Sequence, residues 1–191
     1  IDTQIWNPAA DRALPARYSA EELSGKDACK EVLLTRAGFS LRSRSFPLLG
    51  MISRLATQKG FDLLEKILPD LMVLPVNLVI LGTGDAAIEA NLLEMERLYP
   101  ERLRLLRQFD EELAHLIEAG SDIFLMPSRY EPCGLNQMYS MKYGTIHVVR
   151  ATGGLADTTV EWDESTLRGD GFKFAEPVSY TPLTLPTISS V

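Results

Sequence analysis

The sequence predicts an α/β fold in which a parallel sheet carries helices on both faces. Short apolar runs of strand length, bounded by polar or turn-forming residues, alternate with longer segments whose apolar residues recur at helical spacing. This alternation repeats from residue 46 to residue 149. Repeated units of this kind favour a parallel sheet with right-handed crossovers, in which the strands are buried on both sides.

Each predicted strand is followed by a predicted helix, except the last. The strands are FPLLGMI (46–52), NLVILG (77–82), RLRLLRQF (102–109), DIFLMP (122–127) and IHVV (146–149). The helices between them are FDLLEKILPDL (61–71), a segment with Ile88, Leu92, Met95 and Tyr99 on one face, EELAHLIEAG (111–120), and GLNQMYSMKYG (134–144), which Gly144 is expected to end. The lead-in, residues 1–45, is rich in Pro, Ala and charge, and a helix is expected around residues 26–36.

Composition places the chain among ordinary globular proteins and argues against several classes. Its 191 residues, 46% hydrophobic and 24% charged, suffice for one domain with a sizeable core. A net charge of -7 argues against nucleic-acid binding, which needs clustered Lys and Arg. No apolar run approaches the roughly 20 residues that span a bilayer, so no membrane partner is expected. Cys29 and Cys133 lie far apart and suggest neither a disulfide framework nor a CxxC site, which fits a reducing, cytoplasmic compartment.

The first candidate functional residues follow the first strand, in the sequence SRLATQKG. Arg54 and Lys59 lie in the loop that leaves this strand. Ligands of open parallel sheets bind at the carboxyl ends of the strands. The planar fork of an arginine and the point charge of a lysine together suit a diphosphate. The alternative is a pair of solvated surface charges.

The next two strand ends carry weaker signals. Gly82 and Gly84, in LGTGD, allow a tight turn and a close approach of the backbone to a ligand. Because the third glycine of the dinucleotide fingerprint is missing, a structural turn is the preferred interpretation of these two residues taken alone. Phe109 ends the third strand, where its ring either stacks on a nucleobase or belongs to the core.

The fourth strand runs into SRYEPCGLNQ (128–137), the most informative loop of the chain. Glu131 either accepts hydrogen bonds from sugar hydroxyls and balances a developing positive charge, or is a loop carboxylate paired with an arginine such as Arg129. The helix expected to begin near Gly134 has no acid in its first turn, so its free N–H groups are available to an anion. Cys133 is interpreted as a small packing residue.

Four segments together resemble a known family. SRLATQKG, LGTGD, SDIFLMPSRYEPCGLNQMYSMKYGT and VVRATGGLADT, in this order and at these separations, resemble the C-terminal domain of bacterial glycogen synthases and plant starch synthases, glycosyltransferase family 5. The resemblance covers roughly residues 1–176. It implies the C-terminal half of a two-domain GT-B glycosyltransferase, with a Rossmann-like nucleotide-sugar-binding domain over residues 46–176. It also implies retaining transfer of glucose from ADP-glucose to the non-reducing end of an α-1,4-glucan.

The resemblance implies a role for each candidate residue. Arg54 and Lys59 would contact the donor diphosphate and stabilise the leaving ADP, Glu131 would lie beside the transferred glucose, and Phe109 would face the adenine. The other implied donor-site residues are Gly82, Gly84, Cys133, Gly134, Leu135 and Asn136. No metal or cofactor is implied, and the sequence contains no Asp-X-Asp triplet. The glucan acceptor is expected to bind mainly through an N-terminal domain that this sequence does not contain.

Several positions depart from the family pattern. Gln108 stands where a glycine is common and is expected to crowd the base site. His147 replaces a usual proline, and both it and His115 are expected to be structural. TGGL (152–155) is similar to the family's N-terminal phosphate-binding motif KTGGL, but no lysine precedes it and its place in the chain differs. We assign it no role from the sequence.

Both ends of the sequence suggest a piece of a longer protein. The chain opens on IDTQIWNP without an initiating Met, and it is expected to be inactive alone. Residues 177–191 contain no charge and consist mostly of Pro, Thr, Ser and Leu, so they are predicted to be a disordered extension or foreign sequence.

Two other functions remain open from the sequence. One is a related GT-B glycosyltransferase that uses a UDP- or GDP-sugar and another acceptor. The other is a non-catalytic module that binds a nucleotide or a glucan, against which the intact set of Arg54, Lys59 and Glu131 argues.

Overall fold

A six-stranded parallel sheet forms the centre of the protein. The structure is a computed structural model that describes residues 1–175. The strands are β1 (Leu48–Ile52), β2 (Asn77–Leu81), β3 (Leu103–Leu106), β4 (Ile123–Met126), β5 (Ile146–Arg150) and β6 (Gly171–Phe174). They lie in the order β3-β2-β1-β4-β5-β6, and each neighbouring pair is parallel. The predicted α/β fold is confirmed.

Helices cover both faces of this sheet. Their bounds are α1 (Ser24–Arg36), α2 (Phe61–Leu71), α3 (Ala86–Leu98), α4 (Glu111–Gly120), α5 (Asn136–Lys142) and α6 (Gly153–Thr158). One apolar core joins α2 and α3 to the sheet through residues such as Phe61 and Leu92, and a second joins α1 and α4 through Leu33 and Ile117. Within the described residues, no helix is long and apolar enough to cross a membrane.

The lead-in packs onto the second of these cores. Leu14 and Tyr18 belong to the same buried cluster as α1 and α4. The hydroxyl of Tyr18 donates a hydrogen bond to the carbonyl oxygen of Tyr143 at 2.8 Å. The boundaries at residues 45 and 176 stay a prediction, and the predicted tail at 177–191 lies outside the described residues.

The observed bounds differ from the predicted ones mainly at strand ends. β3 stops at Leu106, so Phe109 lies in the loop beyond the strand. α5 begins at Asn136, two residues after Gly134, and the chain leaves it through Gly144 at a φ of 63°, as expected of a residue that ends a helix. Neither α6 nor β6 was predicted, because GGLADT and GFKF contain only two apolar side chains each, whereas β3 and β4, also 4 residues long, contain three and four.

The strand order reverses between β1 and β4. From β1 the chain moves outward to β2 and β3, whereas from β4 it moves the other way to β5 and β6. The loops that follow β1 and β4 therefore diverge and leave a crevice at the carboxyl edge of the sheet. Ligands of doubly wound sheets bind at such a switch point.

Candidate active site

A small cavity opens at this switch point. It has a volume of about 60 Å³ and lies between the loop after β1 and the loop after β4. Its polar lining consists of Ser53, Lys59, Ser128, Glu131, Gly134 and Asn136, with Leu135 beside them and Met51, Ile52, Leu125 and Met126 from the strands. The structure thus brings together five of the residues predicted from the sequence, namely Lys59, Glu131, Gly134, Leu135 and Asn136.

An ion pair forms the polar centre of the cavity. The Nζ atom of Lys59 lies 2.5 Å from Oε2 of Glu131, and the two side chains are 26% and 11% exposed. The hydroxyl of Ser128 donates a second hydrogen bond to the same oxygen at 3.2 Å. The charged groups are thus held close to solvent, where an incoming ligand can reach them.

Backbone contacts join the two loops that carry this pair. The N–H of Arg129 donates to the carbonyl oxygen of Gln58 at 2.9 Å. Gly60 has a φ of 78°, and a Cβ there would come closer than 3.0 Å to the carbonyl oxygen of Pro127. Only glycine takes this conformation without cost while allowing so close an approach. The backbone at Lys59 is therefore held at a fixed distance from the loop after β4.

Glu131 is not paired with Arg129, which was one of the two alternatives. Arg129 instead binds Asp62 in the first turn of α2, with its Nε 3.1 Å from Oδ1 and its Nη2 on Oδ2. These hydrogen bonds lower the pKa of Asp62 below its usual value. The sequence analysis did not predict this partner, because α2 and the β4 loop meet only in the folded chain.

Arg54 lies outside the cavity lining. Its side chain is exposed, and among residues 1–175 it makes no ion pair. The predicted pair of cations is therefore split, with Lys59 engaged by Glu131 and Arg54 turned to solvent. A long exposed arginine is free to change rotamer at little energetic cost.

The start of α5 supplies the amide edge of the cavity. No side chain caps this helix. Asn136 donates from Nδ2 to the carbonyl oxygen of Ile52 at 3.3 Å, which ties the first residue of α5 to the end of β1. Gly134 has a φ of 67°, and Leu135 is half exposed.

The loop after β2 is explained by chain packing. A Cβ at Gly82 or at Gly84 would come closer than 3.0 Å to the carbonyl oxygens of Ser53 and Leu55 respectively. Leu55 also pairs with Gly84 in a parallel bridge. Both glycines therefore let the β2 loop lie against the β1 loop. Their contact with a ligand stays a prediction.

Two sequence interpretations are wrong. Cys133 is exposed and is not a packing residue, because the turn after Glu131 directs it away from the core. Phe109 is 98% exposed, which rules out a place in the core, because β3 ends before it. Gln108, which was expected to crowd the base site, donates to the carboxylate of Asp110 at 3.2 Å.

Both histidines are buried, as expected of structural residues. His115 places Nδ1 2.7 Å from Oδ2 of Asp11, and its ring stacks on Trp6 with the centroids 3.8 Å apart. His147 places Nε2 3.1 Å from the hydroxyl of Thr159, and burial lowers its pKa. Neither histidine lines the cavity.

The sequence analysis missed three parts of the site. Ser128 is buried and bonds Glu131, although its place at the head of SRYEPCG was a usable signal. Asp62 and the TGGL turn also contact the β4 loop. Within residues 1–175, no group of three or more His, Cys, Asp or Glu side chains is arranged to hold a metal ion. Metal-independent chemistry stays a prediction.

Comparison with known proteins identifies the family. Residues 39–178 match the family described as Glycosyl transferases group 1. The chain belongs to this family. The parallel sheet with its flanking helices is accordingly the Rossmann-like domain of the GT-B fold, as predicted.

Individual members of the family are similar over nearly the whole chain. The glycogen synthase of Anaeromyxobacter dehalogenans strain 2CP-C is 52% identical over 187 residues, which are 98% of this chain and 38% of that protein. The catalytic domain of starch synthase IV from Arabidopsis thaliana, bound to ADP and acarbose, has a TM-score of 0.86 at 38% identity, covering 93% of this chain and 37% of that one. The C-terminal domain of a group 1 glycosyl transferase from Francisella tularensis, at 15% identity and a TM-score of 0.62, covers 94% of this chain and 82% of its own and shows the fold alone.

Proposed function

We propose that this glycosyltransferase domain binds the donor of a cytoplasmic glycogen synthase, which transfers glucose from ADP-glucose, with retention, to the non-reducing end of an α-1,4-glucan. The observation that carries the proposal is the Lys59–Glu131 pair in the switch-point cavity. The similar glycogen synthase and the ADP-bound starch synthase support the choice of donor. The chain spans about 38% of the length of that glycogen synthase, so the activity of a whole enzyme is part of the proposal.

The two cations have different tasks in this proposal. Lys59 exchanges its bond to Glu131 for a bond to the donor phosphates, where a compact ammonium acts as a point charge. Arg54 swings in from solvent and binds the diphosphate with its planar fork. Both charges stabilise the ADP leaving group as its negative charge grows in the transition state.

The carboxylate and the amide edge orient the sugar. Once Lys59 is engaged by phosphate, Glu131 accepts hydrogen bonds from glucose hydroxyls and balances the positive charge that develops at the reacting carbon. The N–H groups of Gly134, Leu135 and Asn136 contact hydroxyl and phosphate oxygens, with Cys133 alongside. The exposed ring of Phe109 stacks on the adenine, and Gly82 and Gly84 border the nucleotide.

The cavity holds only part of this donor. Ligand sites of drug-sized molecules usually measure about 300–1,000 Å³, several times the volume observed. We therefore propose that the glucan, and the second wall around the donor, belong to a further domain of the whole enzyme. This explains why the domain alone is expected to bind nucleotide without transferring glucose.

Isothermal titration calorimetry on this chain tests the donor site directly. ADP and ADP-glucose should bind, and ADP-glucose should bind more tightly than UDP-glucose. Lys59→Met should weaken ADP by at least about tenfold, since it removes a charge-assisted contact to phosphate. Lys142→Met, an exposed lysine in the last turn of α5, is the matched control and should leave the affinity unchanged. Absence of heat with millimolar ADP would overturn the proposal, and a preference for UDP-glucose would redirect it to another nucleotide sugar.

A further inference from the structure

The turn between β5 and α6 lies directly against the loop that carries Glu131. The TGGL sequence (152–155), which was assigned no role from the sequence, consists of the last residue of this turn and the first three residues of α6. The N–H of Gly154 donates a hydrogen bond to the carbonyl oxygen of Glu131 at 3.0 Å. Because β5 is the neighbour of β4 in the sheet, the turns that follow these two strands lie side by side.

Two glycines make this contact sterically possible. A Cβ at Gly153 would come closer than 3.0 Å to the carbonyl oxygen of Glu131, and a Cβ at Gly154 would come equally close to the carbonyl oxygen of Cys133. Real Cβ atoms essentially never approach other atoms so closely. The opposing atoms belong to the backbone and cannot rotate away as the end of a side chain would. Any larger residue therefore has to displace the segment from Glu131 to Cys133.

The same side of the loop is held at two further points. The guanidinium of Arg150, at the end of β5, donates from Nη1 to the carbonyl oxygen of Arg129 at 2.8 Å. A methyl group of Leu155 lies 2.8 Å from the position that a Cβ of Gly134 would take. The segment from Arg150 to Leu155 thus contacts the loop before Glu131, at Glu131 and after it.

We propose that Gly153 and Gly154 are positioning residues for the donor site. They seat the backbone of residues 131–134 and so determine where the Glu131 carboxylate meets Lys59 and where the amide edge begins. The inference rests on the proposed function, because the pair that it positions is the proposed donor site. Neither glycine contacts the reacting atoms in this proposal. A misplacement of about 1 Å at such a site can cost on the order of 10²-fold in activity, so the backbone position that the two glycines allow is important.

Three alanine variants separate the close contact from backbone strain. Gly153 and Gly144 both have a positive φ, 47° and 63°, so alanine is strained at either position. Only at Gly153 does the added Cβ meet the loop that carries Glu131, because a Cβ at Gly144 has nothing within 4 Å. Gly154 is not among the positive-φ glycines, and its variant tests the contact alone.

Binding of ADP to this chain, measured by calorimetry, is the first readout. Gly153→Ala and Gly154→Ala should weaken ADP by about tenfold or more, on the scale of a misplaced binding group. Gly144→Ala should lower the melting temperature by roughly 2–4 °C and leave the ADP affinity of the folded protein unchanged. Equal ADP affinities in all three variants and the wild type would overturn the inference.

The reactivity of cysteine is the second readout and needs no ligand. The chain has two cysteines, of which Cys133 is exposed and Cys29 is fully buried. Displacement of the loop in Gly154→Ala should change the labelling rate of Cys133 severalfold while Cys29 stays protected, since labelling follows access and thiolate character. A merely structural role would lower the melting temperature without changing the rate at Cys133 in the folded state.

Together the two readouts distinguish failure of the inference from failure of the proposed function. If the wild-type protein does not bind ADP, the proposed donor site is refuted. The labelling rates of Cys133 still decide whether the two glycines position the loop. If an alanine variant does not fold, Arg150→Met removes a bond to the same loop without adding a clash. Weaker ADP binding and altered Cys133 labelling in Arg150→Met support the inference that these contacts position the loop, and wild-type values for both count against it.

Discussion

Two pairs of acidic and basic side chains in this protein differ in their exposure to solvent. Lys59 and Glu131 meet 2.5 Å apart at the carboxyl edge of the sheet, with 26% and 11% of their side chains exposed. His115 and Asp11 meet 2.7 Å apart between α4 and the lead-in, with 6% and 4% exposed. The distances are similar, so the difference lies in access.

The buried pair is closed by aromatic rings. Trp6 stacks between His115 and Tyr139 with centroid distances of 3.8 and 3.7 Å. The hydroxyl of Tyr143 donates to the same Asp11 oxygen at 2.5 Å, and burial raises the pKa of this tyrosine. Nδ1 of His115 and Oδ2 of Asp11 thus both have protein partners and lie away from solvent. This histidine and aspartate are therefore shielded from solvent, whereas the pair at the strand ends is more exposed.

Breaking the buried pair should have the largest effect on folding. Asp11→Ala removes the partner of His115 and of the Tyr143 hydroxyl, and loss of one member of a buried pair typically costs about 3–5 kcal/mol. Urea unfolding should show this loss, while the folded fraction keeps its ADP affinity. Asp70→Ala removes the same charge at an exposed position and should change stability little. A reduced ADP affinity in Asp11→Ala with unchanged stability would reverse the roles assigned to the two pairs.

Breaking the more exposed pair, Lys59 and Glu131, should instead lower the rate of glucosyl transfer. In a full-length enzyme that carries this domain, Lys59→Ala or Arg54→Ala should lower kcat/KM for glucosyl transfer by about 10²-fold or more, the scale of a lost transition-state charge contact. The melting temperature should fall less than in Asp11→Ala, because Arg54 is exposed and the Lys59–Glu131 pair is less buried than the Asp11–His115 pair. Lys142→Ala is the control for loss of a surface charge. Wild-type kinetics in both site variants would refute the proposed contacts with the diphosphate.

A third acid, Glu118, sharpens the comparison because it is buried without an ion-pair partner within 4.0 Å among the described residues. Its Oε2 accepts a hydrogen bond from Ser140 at 2.8 Å, and burial raises its pKa from 4.5 to about 8. Between these values the unfolded chain has lost a proton that the folded chain keeps. Stability should therefore fall as the pH rises from about 5 to about 8, by up to about 1.4 kcal/mol per pH unit.

Replacement by the neutral amide tests this pH dependence. Glu118→Gln keeps an acceptor for Ser140 and removes the titration, so the slope of unfolding free energy against pH should flatten between pH 5 and 8. Glu112→Gln, at an exposed position of the same helix, should retain the wild-type slope. Identical slopes in the two variants would mean that Glu118 does not titrate in this range.

Local sequence patterns were enough to predict the fold and to name candidate residues for the site. The strand-end rule identified Lys59 and Glu131 before any partner was known, because a parallel sheet brings all its carboxyl ends to one edge. The predicted end of the third strand was wrong, because β3 stops at Leu106 before the polar residues Arg107 and Gln108, and Phe109 lies exposed in the loop beyond it. The strand-end rule was silent on Asp62, whose partner Arg129 comes from another loop.

The sequence by itself determined the alternation of strands and helices between residues 46 and 149, and it determined that SRLATQKG and SRYEPCGLNQ follow strands. Both follow from periods of two to four residues, which are local properties of the chain. The tertiary structure alone decided that Lys59 meets Glu131, that Asp62 binds Arg129, and that the TGGL segment lies against the loop that carries Glu131. These contacts depend on β4 lying between β1 and β5. Strand order is set by packing of the whole sheet, and no short stretch of sequence contains it.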